Sequence, residues 1–572
     1  MERMADGDSY RSPSPKWPPE LDEGSDLLTA IEGNDLAQIN RYLAAFRPGD
    51  ILGRMKPYYD DPFYLAASEA KPETLRLLLD LYVSAAAEQG GPSGSFEDKR
   101  GFTLLNVACR AANIETVRFL LDTRGSWSLE TRRDLGLEDE DLQKGHRGSD
   151  WTPILEAASS INELCFDDAG LHKRDVEWSH WVSDRIARGE QVIRLLLDRG
   201  CSATDVIPPF HLDEGGQGQP RDSVLGLAMG RASKNLVQYL IDHGADVFLK
   251  HQHWHNFAGV IPFRRGKEMV HDVITLHMAS LFWNVDIVEF LLQYHHKGES
   301  GHDLASCRDT NGRAPLHWAA AGPDSNECRL LDEDLSTRIS TTFQLLLSAA
   351  PETVNMVDDA GFTPLHYAVQ THATCAASSH AEIAIRCLLE HGADPAVADS
   401  NGQTVLHMLG FGSLLSGPIR TGLLDSLVAH GVDINHATSK GVTALHVMAS
   451  NLRHVSVVKY LLENGADLRS TTSTGATAFH RVAEGRLFDG SAGYGDWKNA
   501  TAEDYTRAED DMLRLLQTSF GGSTLVNQRN LAGKTPLQLL EETRKKRWER
   551  GEQMRAGMGM GRGRGRGQAI RE

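Results

Sequence analysis

Residues 440–475, KGVTALHVMASNLRHVSVVKYLLENGADLRSTTSTG, limit what this chain can fold into more than any other stretch. Thr443 stands where a helix N-cap belongs, since its hydroxyl can accept from an orphan N–H of the first turn. Leu445, Val447, Met448 and Ala449 then make a short apolar helix, and the polar stretch 450–454 breaks it. In the helix that follows, Val457, Val458, Leu461 and Leu462 fall at i, i+1, i+4 and i+5 and form one apolar stripe. Gly465 closes that helix as a residue that takes the left-handed conformation without steric cost. The pattern restarts at Gly475, 34 residues after Gly441. Two helices this short cannot bury the stripe alone, so the unit has to be stacked on copies of itself.

Copies are present. Thr-Pro-Leu-His stands at 363–366, Ala-Pro-Leu-His at 314–317, Thr-Val-Leu-His at 404–407 and Thr-Ala-Phe-His at 477–480. His-Gly-Ala-Asp stands at 243–246 and 391–394, and His-Gly-Val-Asp at 430–433. This two-part pattern resembles the ankyrin repeat, whose period is about 33 residues. The resemblance implies an all-α solenoid of helix-turn-helix units with short β-hairpin connections, in about eleven or twelve repeats. It implies a protein–protein interaction scaffold that binds partner proteins through the array. It also implies that His317, His366, His407, His446 and His480 bridge neighbouring repeats by hydrogen bonds. Gly244, Gly392, Gly431 and Gly465 share the slot that follows a second helix.

In chain order, residues 1–24 are charged and Pro/Ser-rich and read as a disordered segment without an apolar leader. The array is expected over 25–543. Four less regular units come first, opening near Asp26, Tyr64, Gly101 and Trp151, and a fifth and sixth cover 222–247 and 273–296. The remaining units start at Gly312, Gly361, Gly402, Gly441, Gly475 and Gly533. Residues 544–572 read as a flexible basic tail, with Arg544-Lys545-Lys546-Arg547 followed by a Gly/Met/Arg stretch.

A formal net charge of −19 opposes wrapping of nucleic acid by the array, because phosphate binding needs a basic surface. Seven cysteines without a Cys-x-x-Cys pair give neither a disulfide framework nor a zinc knuckle, which points to a reducing cytoplasmic or nuclear compartment. No apolar run approaches a membrane span. His251, His253 and His255 flank Trp254 and have His243, His271 and His277 nearby, but no further ligand stands at metal-binding spacing, so the expectation is a packing loop without metal. There is no Gly-x-Ser-x-Gly elbow and no dinucleotide fingerprint, and Gly533-Lys-Thr lacks the upstream P-loop glycine because Gln528 stands there. Neither catalysis nor a cofactor is expected. The Arg-Lys-Lys-Arg run fits a nuclear-import pattern, and Arg562, Arg564 and Arg566 lie in an Arg-Gly tail of RNA-contacting type. A nuclear or RNA-associated regulator is therefore the alternative reading.

Five units are interrupted between their two helices, at 159–190, 322–341, 370–381, 410–422 and 485–510. One slot in a stack maps to one edge, so these insertions are expected to line a ridge, and ridges of this kind often bind. Trp178, Trp181, Phe411, Phe488, Tyr494 and Trp497 are the candidate partner-binding anchors on it.

Overall fold

The structure, a computed structural model, describes residues 25–45, 62–88, 104–124, 151–162, 177–208, 220–255, 268–294, 300–323, 335–372, 382–412, 419–487 and 501–561. The segment 1–24 and the Arg-Gly stretch 562–572 lie outside the described residues. The chain divides into two compact units, residues 1–208 with 223–228 and 238–246, and residues 209–222 with 229–237 and 247–572.

In the first unit, helices come in antiparallel pairs: α1 (Ser25–Glu32) with α2 (Leu36–Ala45), α3 (Pro62–Ser68) with α4 (Pro72–Glu88), α5 (Leu104–Arg110) with α6 (Ile114–Arg124), and α7 (Pro153–Asn162) with α8 (Glu177–Asp198). Each first helix packs on the next one, α1 on α3, α3 on α5 and α5 on α7, while α4, α6 and α8 form a second row. Short strands β1 (Val206–Ile207) and β2 (Asp222–Ser223) precede α9 (Val224–Ala228) and α10 (Lys234–Asp242). Inside the unit α9 continues the first row against α7.

The second unit opens with an antiparallel hairpin of β3 (His251–His255) and β4 (Glu268–Val273). Pairing slips by one residue between His251↔Val273 and His253↔Val270, a bulge on β4 in which Asp272 takes a φ of 57°. Then come α11 (Thr275–Leu281), α12 (Val285–Gln293), a separate α13 (Gly301–Ser306), α14 (Pro315–Ala321), α15 (Leu335–Ala349), α16 (Pro364–His372), α17 (Ile383–Glu390), α18 (Val405–Gly412), α19 (Thr421–Ala429), α20 (Ala444–Ala449), α21 (Val455–Glu463), α22 (Ala478–Ala483), α23 (Ala502–Thr518), the single turn α24 (Gly522–Leu525) and α25 (Pro536–Gly561). The first helices α11, α14, α16, α18, α20, α22 and α25 pack in series. Their cores are Leu276, Leu316, Leu365, Leu406, Leu445 and Phe479, all buried. Second-helix stripes such as Val457, Val458 and Leu461 are buried beneath them, as a 3.6-residue period requires.

Three boundaries differ from the sequence reading. The second helices begin earlier than expected: α8 starts at Glu177, α15 at Leu335 and α23 at Ala502, so part of each of these expected insertions is helix. The signal for α23 is Thr501-x-x-Asp504, a reciprocal cap in which Asp504 N–H donates to Thr501 Oγ1 at 3.1 Å and Thr501 N–H to Asp504 Oδ2 at 2.8 Å. Ser300-x-x-Asp303 starts the unforeseen α13 in the same way. The expected flexible tail from 544 is also corrected: α25 runs unbroken through 544 to Gly561. Its Arg544 and Arg547 turn inward onto the buried Glu509 of α23, which ties the basic run to the array.

Candidate interaction surface

The second unit carries one feature at every repeat junction that the period alone does not reveal. Asp309, Asp358, Asp399, Thr438, Thr472 and Asn530 each stand three residues before the turn glycines Gly312, Gly361, Gly402, Gly441, Gly475 and Gly533. Each is the first residue of a tight turn, closed by the glycine N–H donating back to its carbonyl at 2.8–3.0 Å. Its side chain accepts from the backbone N–H four residues on. Asp309 Oδ1 takes Arg313 N–H at 2.9 Å, Asp358 takes Phe362 at 2.8 Å and Asp399 takes Gln403 at 2.7 Å. Thr438, Thr472 and Asn530 do the same at 3.1, 3.2 and 3.0 Å. Short Asx and Thr side chains suit this local bonding. The glycine follows in the left-handed region, with φ of 71° at Gly475, where a Cβ would meet Leu531 N at 3.1 Å.

Neighbouring turns then bond tip to tip. Thr310 N–H donates to His271 O, Asp359 to Asn311 O, Ser400 to Ala360 O, Ser439 to Asn401 O, Ser473 to Lys440 O and Leu531 to Thr474 O, at 2.7–3.4 Å. The inserted hairpin joins the same row, for β3 is bonded on its other side through Gln252 N–H to Pro220 O at 2.8 Å. The result is a continuous backbone ladder whose side chains at Thr310, Asp359, Ala360, Ser400, Asn401, Ser439, Lys440, Ser473 and Thr474 are exposed.

Behind the ladder lies the histidine slot. His317, His366, His407, His446 and His480 are buried, and Nδ1 of each accepts from the backbone N–H three residues before it at 3.1–3.2 Å. That fixes Nε2–H as the donor. It points at a carbonyl of the following repeat: Met356 O from His317 at 3.0 Å, Val442 O from His407 at 3.0 Å, Ala476 O from His446 at 3.1 Å and Lys534 O from His480 at 3.2 Å. His366 turns the same nitrogen toward the Gln403 backbone without closing a bond of that quality. Thr443 holds the N-cap position, and its hydroxyl lies 2.8 Å from His446 Nδ1. His277 belongs to this slot as well, with Ile274 N–H on Nδ1 and Arg313 O at 3.2 Å from Nε2. Ile-Thr-Leu-His at 274–277 gave that signal, although the sequence reading grouped His277 with the histidine cluster. Burial holds these rings well below the ordinary imidazole value, to about 3 for His277 and His317 and about 4 for His366, His407 and His446. Gly244, Gly392, Gly431 and Gly465 follow their second helices with φ of 97°, 87°, 88° and 89°.

Where the inserted hairpin meets the slot, polar groups are buried together. His251 Nε2 stands 3.6 Å from Asp222 Oδ1, and His253 Nδ1 stands 4.0 Å from Asp222 Oδ2. Burial pushes His251 down to about 4. Trp318 packs near both His253 and His277 and donates its indole N–H to Asp309 Oδ2 at 3.1 Å. Tyr367 repeats the arrangement one unit on, its hydroxyl 2.7 Å from Asp358 Oδ2. Burial raises both carboxyls against their local donors. His255 has no described side chain. Among the described residues no group of three or more His, Cys, Asp or Glu side chains is arranged to hold a metal ion.

The aromatic anchors expected on the insertion ridge fare differently. Trp181 lies in α8, 37% exposed, with the Arg185 guanidinium 5.5 Å from its ring, and Arg185 in turn donates to Arg110 O at 3.0 Å. Trp178 and Phe411 fall in α8 and α18, but their side chains lie outside the described residues, as do Phe488, Tyr494 and Trp497 altogether. The linkers between paired helices that remain outside the described residues are 163–176, 324–334, 373–381, 413–418 and 488–500.

Three family models match the chain: one described as ankyrin repeats (3 copies) over residues 276–375, one as ankyrin repeat over 360–400, and one as ankyrin repeats (many copies) over 427–482. Over residues 276–400 and 427–482 the chain is therefore similar to ankyrin repeats. None of the curated proteins compared matches the chain. Among solved structures it is similar to the ankyrin repeat domain of Bcl-3, described as a unique member of the IkappaB protein family. That similarity has 21% identity and a TM-score of 0.31, over 45% of this chain and 92% of the other. No described helix is long and apolar enough to cross a membrane.

Proposed function

We propose that this protein is an interaction scaffold that binds partner proteins through its ankyrin array, and that the tip ladder of the second unit is the contact row. The observation that carries the reading is the ladder itself. Six successive turns are locked by side-chain caps and tip-to-tip backbone bonds, yet the side chains they present differ from turn to turn. Rigid backbone with variable exposed side chains lowers the ordering cost of binding and leaves specificity to the tips. Ankyrin repeats are generally interaction modules, typically without catalysis, and this supports the same reading.

The test compares two variants of the full chain in affinity capture with mass spectrometry. One reverses tip charges (Asp359→Lys with Lys440→Glu), and the other replaces 488–500 by a short Gly-Ser link. Both must keep the wild-type circular dichroism. The reading expects the tip variant to lose the wild-type partner set and the linker variant to keep it. The opposite outcome would return the contact to the insertion ridge.

A further inference from the structure

The basic run 544–547 is not free in the folded chain. Helix α25 has 3.6 residues per turn, so Leu540, Arg544 and Arg547 share one face, and that face packs on α23. Glu509, on the buried stripe of α23 with Met512, Leu513 and Leu516, has no exposure to solvent. Its two oxygens are taken separately. Arg544 Nε donates to Oε2 at 2.7 Å, and Arg547 Nη1 donates to Oε1 at 2.8 Å. Arg544 also reaches Asp510 Oδ1 at 2.7 Å, and the Arg547 guanidinium lies 4.0 Å from the Tyr505 ring centroid. Lys545 and Lys546 lie on the other side of the helix and are exposed. Five of the seven residues 544–550 are Lys or Arg, yet the fold presents this run with two of its cations turned inward.

We propose that residues 544–547 form a gated recognition element for an acidic protein groove, of the kind that reads short Lys/Arg runs. The carboxylates of α23 occupy the very arginines such a groove would take. Docking of α25 on α23 and binding of the partner therefore exclude one another. A protein groove fits better than nucleic acid for two reasons. The internal ligand is already a set of carboxylates matched to guanidinium forks, and the chain's charge of −19 opposes phosphate chains. When the competent state is a minor one, apparent affinity falls by its population, so loosening the clamp raises affinity without changing the run itself. This element is separate from the tip ladder and does not depend on it.

The experiment uses the full chain and two probes read by fluorescence anisotropy, a labelled oligo-glutamate peptide and a labelled single-stranded DNA of similar length. Glu509→Gln keeps the size of the side chain and removes the charge that holds both arginines. It should bind the peptide roughly tenfold more tightly than wild type. Adding Arg544→Gln and Arg547→Gln should abolish the gain. Tyr505→Ala, which removes only the ring beside Arg547, should give a smaller gain in the same direction and covers the case in which Glu509→Gln does not fold. Hydrogen exchange over 443–482 should be unchanged in each variant. Equal peptide affinity in wild type and both single variants would overturn the proposal, as would a gain that survives loss of the arginines. A larger gain for DNA than for peptide would overturn the choice of partner.

Discussion

Residues 309–480 and residues 501–561 belong to the same stack and are held by opposite devices. In the first, every polar group that matters recurs. A side chain caps each turn, a buried histidine stands behind each junction, and the next turn bonds to the last. The same kinds of contact recur from junction to junction, and each unit couples to its neighbours. In the second, one buried carboxylate is met by two arginines from α25, which packs on α22 and α23. Contacts of the first kind are distributed along the repeats, whereas the contact of the second kind is concentrated on one buried carboxylate. Phe520 and Leu531 of this second region are exposed, at 97% and 81%.

Acid should separate the two regions most strongly. His317, His366, His407 and His446 are neutral when folded, at about 3 to 4 against an ordinary 6.5, so the unfolded chain takes up the proton first. Stability is intact above about pH 6.5 and declines as pH falls toward 4, by about 1.4 kcal/mol per unit for each ring. With His317, His366, His407 and His446 all in residues 309–480, and no histidine in 501–561, protection there should drop first between pH 6.5 and 5. Hydrogen exchange at stepped pH checks this.

Next in size is Leu461→Ala. This residue is fully buried on α21, and the change should cost roughly 2–5 kcal/mol, felt in its own unit and the adjoining ones. Denaturant curves followed by circular dichroism and fluorescence should then separate into steps.

Glu509→Gln should cost less, about 1–3 kcal/mol, because Arg544 and Arg547 are part-exposed and can rehydrate once released. The loss should be confined to α23 and α25, read as faster exchange at 536–547 with the repeats unchanged. Smallest of all, Trp181→Ala should shift the melting free energy by no more than about 0.5 kcal/mol, since the ring is part-exposed and its Arg185 partner keeps its bond to Arg110.

These contrasts explain what could be read in advance. The helix pairs, the slot occupied by His317 and its successors, and the glycines after second helices all recur, so the period exposes them. The turn caps recur too, but as Asp, Thr or Asn, and only their offset of three from the glycine identifies them. His277 was obscured because His251, His253 and His255 stand close by in sequence, while its ring faces Arg313 instead. The Glu509–Arg544–Arg547 cluster occurs once, between residues 35 or more apart, and nothing local marks Glu509 among its acidic neighbours. A run of four cations therefore reads as free when two of them are held by Glu509. The early starts of α8, α15 and α23 extend polar sequence as helix, which an apolar period cannot detect.

Residue-resolved native-state hydrogen exchange on wild type and Leu461→Ala tests neighbour-coupled repeats most directly. The account predicts lost protection in α20, α21, α22 and the turns at 438–441 and 472–475, with α11, α12 and α14 unchanged. A uniform fall in protection from 276 to 547, with a single shared unfolding free energy, would contradict it.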